Sequence, residues 1–177
     1  MKSSDSQHDH LPEVCLRALE PEDLDFLYRV ENDRTLWDCG LTNVPYSRHL
    51  LRNYILSARN DIYADGQVRL IVENDAGKVI GVADLVNFDP RHQRAEIGLV
   101  VLSEYRRMGY GTAIVKRLIH AARHTLHLHQ VYVCVGVENV KSIALFTRMG
   151  FSATARLKEW LYVGGKYQDA LWMQYLL

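Results

Sequence analysis

Glu104-Tyr105-Arg106-Arg107-Met108-Gly109-Tyr110-Gly111-Thr112 decides how the rest of this chain is read. An apolar run, Ala95 to Leu102, leads straight into it, and an amphipathic one, Ala113 to Leu126, leads straight out. Strand, short basic loop, helix is the order that leaves unpaired backbone N–H groups at a helix start, where the dipole favours an anion. Arg106 and Arg107 bring positive charge, and Gly109 and Gly111 lack the Cβ atoms that would hold a ligand off the backbone. On physics alone the stretch reads as a phosphate or pyrophosphate cradle. The competing reading is an ordinary strand–helix connection with exposed arginines.

Composition narrows what such a cradle could serve. The 177 residues, 48% hydrophobic and 24% charged, suit one soluble globular domain. Lys+Arg and Asp+Glu both number 21, so no overall field draws the chain to nucleic acid or anionic lipid. No apolar run is long enough to span a bilayer, and the first residues lack the apolar core of a secretory signal. Partners among nucleic acids and membranes are therefore not expected. Cys15, Cys39 and Cys134 are too few and too scattered for a disulfide framework or a zinc site. The expected setting is a reducing cytoplasm, with no metal.

Outward from the loop, the pattern predicts residues 1–12 as a disordered polar tail, with His8 and His10 in it, and 13–177 as a single domain. Val14 to Leu19 alternates as a strand, and Glu20-Pro21-Glu22-Asp23 starts a helix carrying Leu24, Leu27 and Tyr28. Asn32 to Pro45 reads as irregular. Ser47 caps a second helix with Leu50, Leu51, Tyr54, Ile55 and Ala58 on one stripe. Val68 to Glu73, Lys78 to Val86 and Ala95 to Val101 predict three antiparallel strands, with turns at Asn74-Asp75-Ala76-Gly77 and at Asn87 to Gln93. A helix from Thr112 buries Ile114, Val115, Leu118, Ile119, Ala122 and Leu126, and Gln130 to Val137 completes a β-α-β unit. Asn139 caps a short helix, Val140 to Met149, that Gly150 ends, and Ser152 to Tyr162 and Tyr167 to Leu176 turn at Gly164-Gly165.

The order β-α-α-β-β-β-α-β-α-β-β, with Arg106-x-x-Gly109-x-Gly111 after the fourth strand, resembles the GNAT superfamily of acyl-CoA N-acetyltransferases. Ala95-Glu96-Ile97-Gly98, Asn139-x-x-Ser142 and Met149-Gly150-Phe151 extend the resemblance over nearly the whole chain. Leu16-Arg17-Ala18-Leu19-Glu20-Pro21-Glu22-Asp23-Leu24 and Tyr167-Gln168-Asp169 look most like two branches. These are the spermidine/spermine N-acetyltransferases and the ribosomal-protein N-terminal acetyltransferases. The resemblance implies an α/β (α+β) domain whose mixed, mostly antiparallel sheet has helices on both faces and splayed central strands. It implies acetyl-CoA as cosubstrate and a primary amine as acceptor, either a small polyamine-like molecule or a peptide N-terminus or lysine. It also implies a homodimer.

Roles follow position by position from the resemblance. Backbone N–H groups of Arg107, Met108, Gly109, Tyr110, Gly111 and Thr112 would hold the pyrophosphate, with Arg106 and Arg107 providing charge. The edge at Leu99, Val100 and Val101 would pair with the pantetheine amides, one N–H polarising the thioester carbonyl. Asn139, Ser142 and Phe146 would line the other side, although Asn139 also reads as a helix cap and Ser142 as its first-turn partner. An ammonium with a pKa near ~10.4 must lose a proton before it attacks. Glu96, on the strand face of Gly98 and Val100, is the candidate base, and relatives give this glutamate that role through water. A carboxylate merely paired with Arg94 or Arg91 is the alternative.

One position departs from the pattern. Many relatives carry a tyrosine four residues before the closing glycine, to protonate the leaving thiolate, and this chain has Phe146. Ser142, Cys134, Tyr110 or water are left for that task, and a non-catalytic acyl-CoA-binding regulator stays open on the same ground. Glu22, Asp23, Asp25, Glu31, Asp33 and Asp38 could attract a polycation or form a solvated helix face. His120 and His124 sit one helical turn apart, a spacing that zinc can use, but a solvated face is the better reading.

Overall fold

Residues 11–37, 44–59 and 61–177 are described by the computed structural model. Most of the expected tail, with His8 and His10, and also Asp38 and Cys39 lie outside the described residues. The strands are β1 (Val14–Ala18), β2 (Val68–Asn74), β3 (Val79–Asp89), β4 (Arg94–Val101), β5 (Gln130–Gly136), β6 (Ser152–Val163) and β7 (Lys166–Leu176). The helices are α1 (Leu24–Glu31), α2 (Arg34–Trp37), α3 (Arg48–Ser57), α4 (Ile62–Asp65), α5 (Tyr110–His124) and α6 (Val140–Arg148). One seven-stranded sheet runs β1-β2-β3-β4-β5-β7-β6. Every neighbouring pair is antiparallel except β4 and β5, which are parallel because α5 carries the chain back between them.

Each face of the sheet has its own core. On one face, Phe26, Leu27 and Val30 of α1 and Leu51 and Ile55 of α3 pack on Ile71 and Val82 of the sheet. On the other, Ala113, Ile114, Val115, Leu118, Ile119 and Ala122 of α5 and Phe146 of α6 pack on Val72, Leu85, Ala95, Ile97, Val131, Val133 and Met173. Strand alternation sorts β4 between the two: Ala95 and Ile97 join the α5 core, and Val100 packs against the α1–α3 core. Burying a side chain as large as Leu27 or Leu118, both with no exposed surface, stabilises by about 1.5–3 kcal/mol each.

The expected caps and turns form. Ser47 Oγ accepts from Leu50 N–H at 3.1 Å, Asn139 Oδ1 accepts from Ser142 N–H at 3.1 Å, and Gly150 ends α6 at φ 90°. Asn74 Oδ1 accepts from Ala76 and Lys78 N–H inside the β2–β3 turn. Several boundaries move. Helix α5 starts at Tyr110, not Thr112, because Gly109 in the left-handed region already serves as its N-cap. Helix α2 lies within the stretch that reads as irregular, and α4 is an unforeseen single turn between Asp61, which caps it, and Gly66 at φ 65°. Leu50 is exposed and leaves the α3 stripe. Strand β3 runs on to Asp89 through a register shift between Val86 and Asp89.

The start of α1 is fixed by a buried charge. Asp23, 5% exposed, accepts from Arg17 Nη1 and Nη2 at 2.7 and 2.9 Å and from Glu20 N–H at 2.8 Å. Arg17 also donates to Glu73 on β2 at 2.7 Å, so the pair ties α1 to the sheet. Burial pushes the Asp23 carboxyl up, but the Arg17 bonds, the Glu20 bond and the Arg17 charge together bring it below its ordinary value. A depressed folded-state pKa means stability present above the unfolded value, near ~3.9, and lost as pH falls below it. Asp23→Ala is expected to cost about 2–3 kcal/mol in urea unfolding at pH 7, with the difference from the parent shrinking below pH 4.

Candidate active site

Strands β4 and β5 pair only at Arg94↔Gln130, Ala95↔Val131 and Glu96↔Tyr132, although both run further. Beyond Glu96 a gap opens in the middle of the sheet. Its borders follow from alternation. Leu102 N–H donates to Ile80 O at 2.9 Å, so even-numbered residues of β4 turn their main chain to β3, and Ile97, Leu99 and Val101 turn theirs to the gap. On the far side, Val137 N–H donates to Asp169 O and Leu177 N–H to His129 O, each at 3.0 Å, which leaves the main chain of Cys134 and Gly136 facing the gap. Of the three edge residues read from the sequence, Leu99 and Val101 therefore border the gap by main chain. Val100 points its amide groups at β3.

The loop Arg106–Thr112 lies at the wide end. Arg107 takes a left-handed φ of 65° and Gly109 one of 86°. Gly109 in αL followed by Tyr110 in the helix makes a concave run of N–H groups of the kind that binds anions. No side chain caps α5, whereas side chains do cap α3 and α6. Its first turn therefore aims free N–H groups outward. Arg106 Nε donates to Val101 O at 2.8 Å, which fixes the loop to the edge of the gap, and the Arg107 and Met108 side chains are exposed. Tyr110 is instead buried, edge-on to Tyr105, so its ring packs the loop. Pro12 lies against Gly109 at 2.9 Å from where a Cβ would sit.

Glu96 stands at the apex of the gap, on the face away from α5. It is half-buried and its Oε2 accepts from Asn87 Nδ2 at 2.8 Å. The arginine pairing considered for it does not form: Arg94 goes to Asp89 Oδ2 at 3.1 Å. Glu96 thus keeps lone pairs for a proton. Its charge reaches two neighbours on β5. Burial first, then Glu96, raises both the Tyr132 hydroxyl and the Cys134 thiol above their ordinary values.

Gly98, without a Cβ, lies on the same face between Glu96 and Val100 and makes room there for the Asp84 side chain. Asp84 lies opposite, 3.1 Å from where that Cβ would be.

The α5-side mouth is apolar. Leu145 of α6 comes within 3.3 Å of a Cβ built on Gly111, and Leu99 within 4.0 Å. Phe146 is 6% exposed and packs edge-on to Phe151, with ring centroids 5.1 Å apart. Ser142 is half-buried in the first turn of α6, beside the exposed Asn139 that caps it. The acidic first-helix region is largely neutralised. Asp23 pairs with Arg17, Asp25 with Arg48 and Glu31 with Arg69, while Asp33 accepts from Thr35. Arg69 also forks onto Asp84, at 2.9 and 3.1 Å. His120 and His124 have ring centroids 4.6 Å apart, and among the described residues no group of three or more potential metal ligands gathers.

A helix start without a side-chain cap beside a gap between parallel strands, with a carboxylate at the apex, is accompanied by a match to a family model. The model for an acetyltransferase (GNAT) domain matches residues 13–152. The chain belongs to the GNAT acetyltransferase family. A spermidine N(1)-acetyltransferase of Vibrio cholerae is 27% identical over 157 residues, 89% of each chain. The putative ribosomal N-acetyltransferase YdaF of Bacillus subtilis is 31% identical over 170 residues, 92% of this chain and 91% of the relative. The crystal structure of the Vibrio cholerae spermidine N-acetyltransferase in complex with CoA and spermine matches with a TM-score of 0.81 at 29% identity, over 92% of this chain and 95% of that one. This GNAT sheet is the mixed, mostly antiparallel one that the resemblance implied, with helices on both faces.

Asn87, Leu145, Gly136 and the β6–β7 hairpin border this site too; of these only Tyr167-Gln168-Asp169 stands out in the sequence, as part of the family resemblance and without a site role. Asn87 reads as a turn residue, because strand and turn are not separable there by pattern. The Cys134 thiol offers a direct test of the Glu96 placement. Glu96→Gln is expected to speed iodoacetamide labelling of Cys134 at pH 7.5 by about threefold, because removing the negative charge lowers the thiol pKa. Cys15, on the exposed edge strand, serves as the unchanged reference in the same peptide map.

Proposed function

We propose that this GNAT protein moves an acetyl group from acetyl-CoA to a primary amine, by direct attack within a ternary complex. The observation that carries the reading is the gap beyond Glu96↔Tyr132, with a helix start free for phosphate at one end and a base at its apex. The fit to the cosubstrate rests on unpaired groups. The main-chain amide groups of Leu99 and the N–H of Val101, whose carbonyl is taken by Arg106, suit the pantetheine amides, and the N–H groups from Arg107 to Thr112, with Arg106 and Arg107 nearby, suit the pyrophosphate. Bound acetyl-CoA supplies the acetyl thioester.

The chain's own residues do the rest. An N–H on the β4 edge polarises the thioester carbonyl, and Leu145, Leu99 and Phe146 keep the α5 side apolar. The amine arrives from the opposite face, over Gly98, where Glu96 takes its proton directly or through water. Phe146 has no proton to give. Cys134 is held protonated on that face, and Ser142 stands at the first turn of α6; either can meet the departing sulfur, whose thiol is acidic enough to leave without a strong acid.

A polyamine is the first acceptor to test, on the strength of the spermidine-acetylating relatives. A peptide N-terminus is the second, favoured by the YdaF likeness and by Phe146. The free thiols of Cys15 and Cys134 suit a reducing cytoplasm, and the chain is taken to act as a homodimer. CoA thiol release over a panel of polyamines and peptides tests the whole reading, and acetyl-CoA binding without turnover on any amine would turn it into a regulator. Glu96→Gln is expected to lower kcat/KM by about 100-fold at pH 7 and by progressively less toward pH 10, where free amine is abundant. Arg107→Glu should raise KM for acetyl-CoA about tenfold with little change in KM for the amine; an unchanged value would remove the loop from phosphate binding.

A further inference from the structure

The long β6–β7 hairpin carries a distortion beside the gap. Its register shifts between Leu157 and Leu161, so that Lys158, Glu159 and Trp160 bulge out of the pairing, with Glu159 at φ 48°. Asp169 on β7 holds the bulge: its Oδ1 accepts from Glu159 N–H at 2.9 Å and its Oδ2 from Arg156 Nε at 2.6 Å. Bulges of this kind re-aim side chains beside functional sites. Trp160 lies in this bulge and stays 59% exposed, near enough to Cys134 for its indole N–H to offset part of the rise in the thiol pKa. Beside it, Gln168 Oε1 lies 3.2 Å, and Leu161 3.3 Å, from where a Cβ on Gly136 would sit. Cys134 and Gly136 are the β5 residues whose main chain borders the gap. Alternation puts the side chains of Cys134 and Gln168 on the face of Glu96, away from α5.

Gln168 Oε1 is buried and has no hydrogen-bond partner, the one such side-chain atom among the described residues. A desolvated amide oxygen is costly to leave unpaired, and such an atom next to an open site marks a place where a donor belongs. The donor must come from the acceptor side, because the phosphate-binding end of α5 serves the other face. We propose that Gln168 and Trp160 form the acceptor-binding corner of the gap: Gln168 Oε1 accepts a hydrogen bond from an N–H of the incoming amine, and the open face of Trp160 carries the adjoining part of that molecule. The inference rests on the acetyl-transfer reading of the gap and assigns its acceptor selectivity to the hairpin. An ammonium or amide N–H satisfies the oxygen, and a cation over the indole gains a further attraction. A thiol or alcohol acceptor satisfies only the first.

Two measurements on the full chain test this. Steady-state kinetics would use spermidine and an unblocked alanyl tetrapeptide as acceptors, and tryptophan fluorescence would follow the same amines titrated into the CoA-saturated protein. Gln168→Leu should raise acceptor KM about tenfold or more and leave KM for acetyl-CoA within about twofold. It should not lower Tm, because it removes an unpaired buried acceptor. Gln168→Glu, which keeps an accepting oxygen, should restore acceptor KM, and Trp160→Phe should abolish the fluorescence response. An unchanged acceptor KM in Gln168→Leu together with a lower Tm would make Gln168 structural and overturn the inference while acetyl transfer stands. A fluorescence response weakened by Gln168→Leu without any CoA thiol release would keep the corner and overturn acetyl transfer. Neither turnover nor a fluorescence response with either amine would overturn both.

Discussion

Loss of hydrogen bonding between β4 and β5 after Glu96↔Tyr132 is the constraint that shapes this molecule. Main-chain groups in a sheet are seldom left without partners, since each buried orphan costs free energy of the order of a lost hydrogen bond. Opening a sheet at its centre is tolerable only if the parted strands are held from outside. Here β5 keeps seven register pairs with β7, and β4 keeps β3 along its whole upper half. The strands part, yet neither frays. Leu145, Gly111 and Leu99 then shape one mouth of the opening, and on the other face Asp84 packs over Gly98 while Gln168 and Leu161 pack over Gly136. The exposed amides left behind are a standing demand for a ligand with amides of its own.

Charge is arranged so that the opening is the place where it stays uncompensated. The acids of the first helix face Arg17, Arg48 and Arg69, and Asp84 beside the gap is held by Arg69 as well. Glu96 alone at the apex takes a neutral partner, Asn87. An amide donor orients a carboxylate without neutralising it, which leaves Glu96 suited to the proposed role toward an ammonium. A guanidinium in the place of Asn87 would have held the charge but dulled the base. The zero formal net charge of the chain thus conceals a local negative potential where an amine would approach.

Much of this is legible in the sequence. The loop Arg106 to Thr112, the cap at Asn139 and the stop at Gly150 are local signals, written in residues whose backbone demands do not depend on distant contacts. The parallel β4–β5 pair follows from the helix between them. What the sequence does not reveal is longer in range. The end of pairing at Glu96 depends on two strands meeting across thirty-odd residues of chain, and no pattern within either strand marks it. The partner of Glu96 is hidden for a related reason: Arg94 and Arg91 are nearer in sequence, but Asn87 is brought opposite by the β3–β4 turn. The hairpin bulge is the least visible of all. Glu159 at positive φ has no glycine to announce it, and the acid that stabilises it, Asp169, lies on the next strand.

Phe146 shows why fold and mechanism must be argued separately. The phenyl ring packs edge-on to Phe151 in the α5 core, as the ring of a phenol could. The fold therefore exerts no pressure against the exchange, and its preservation carries no information about the acid. Chemistry sets a different demand. A thiolate with a conjugate acid near the ordinary thiol range departs readily, whereas an ammonium near pKa ~10.4 must be stripped of a proton before it reacts at all. The base is therefore the group the reaction can least do without. In this chain the residue proposed as base, Glu96, is oriented by an amide and paired with no cation, while Phe146, where relatives carry the acid, lies in the hydrophobic core. That asymmetry is what a direct-attack transferase can sustain, and it puts the weight of catalysis on positioning the amine over Gly98 rather than on assisting the sulfur.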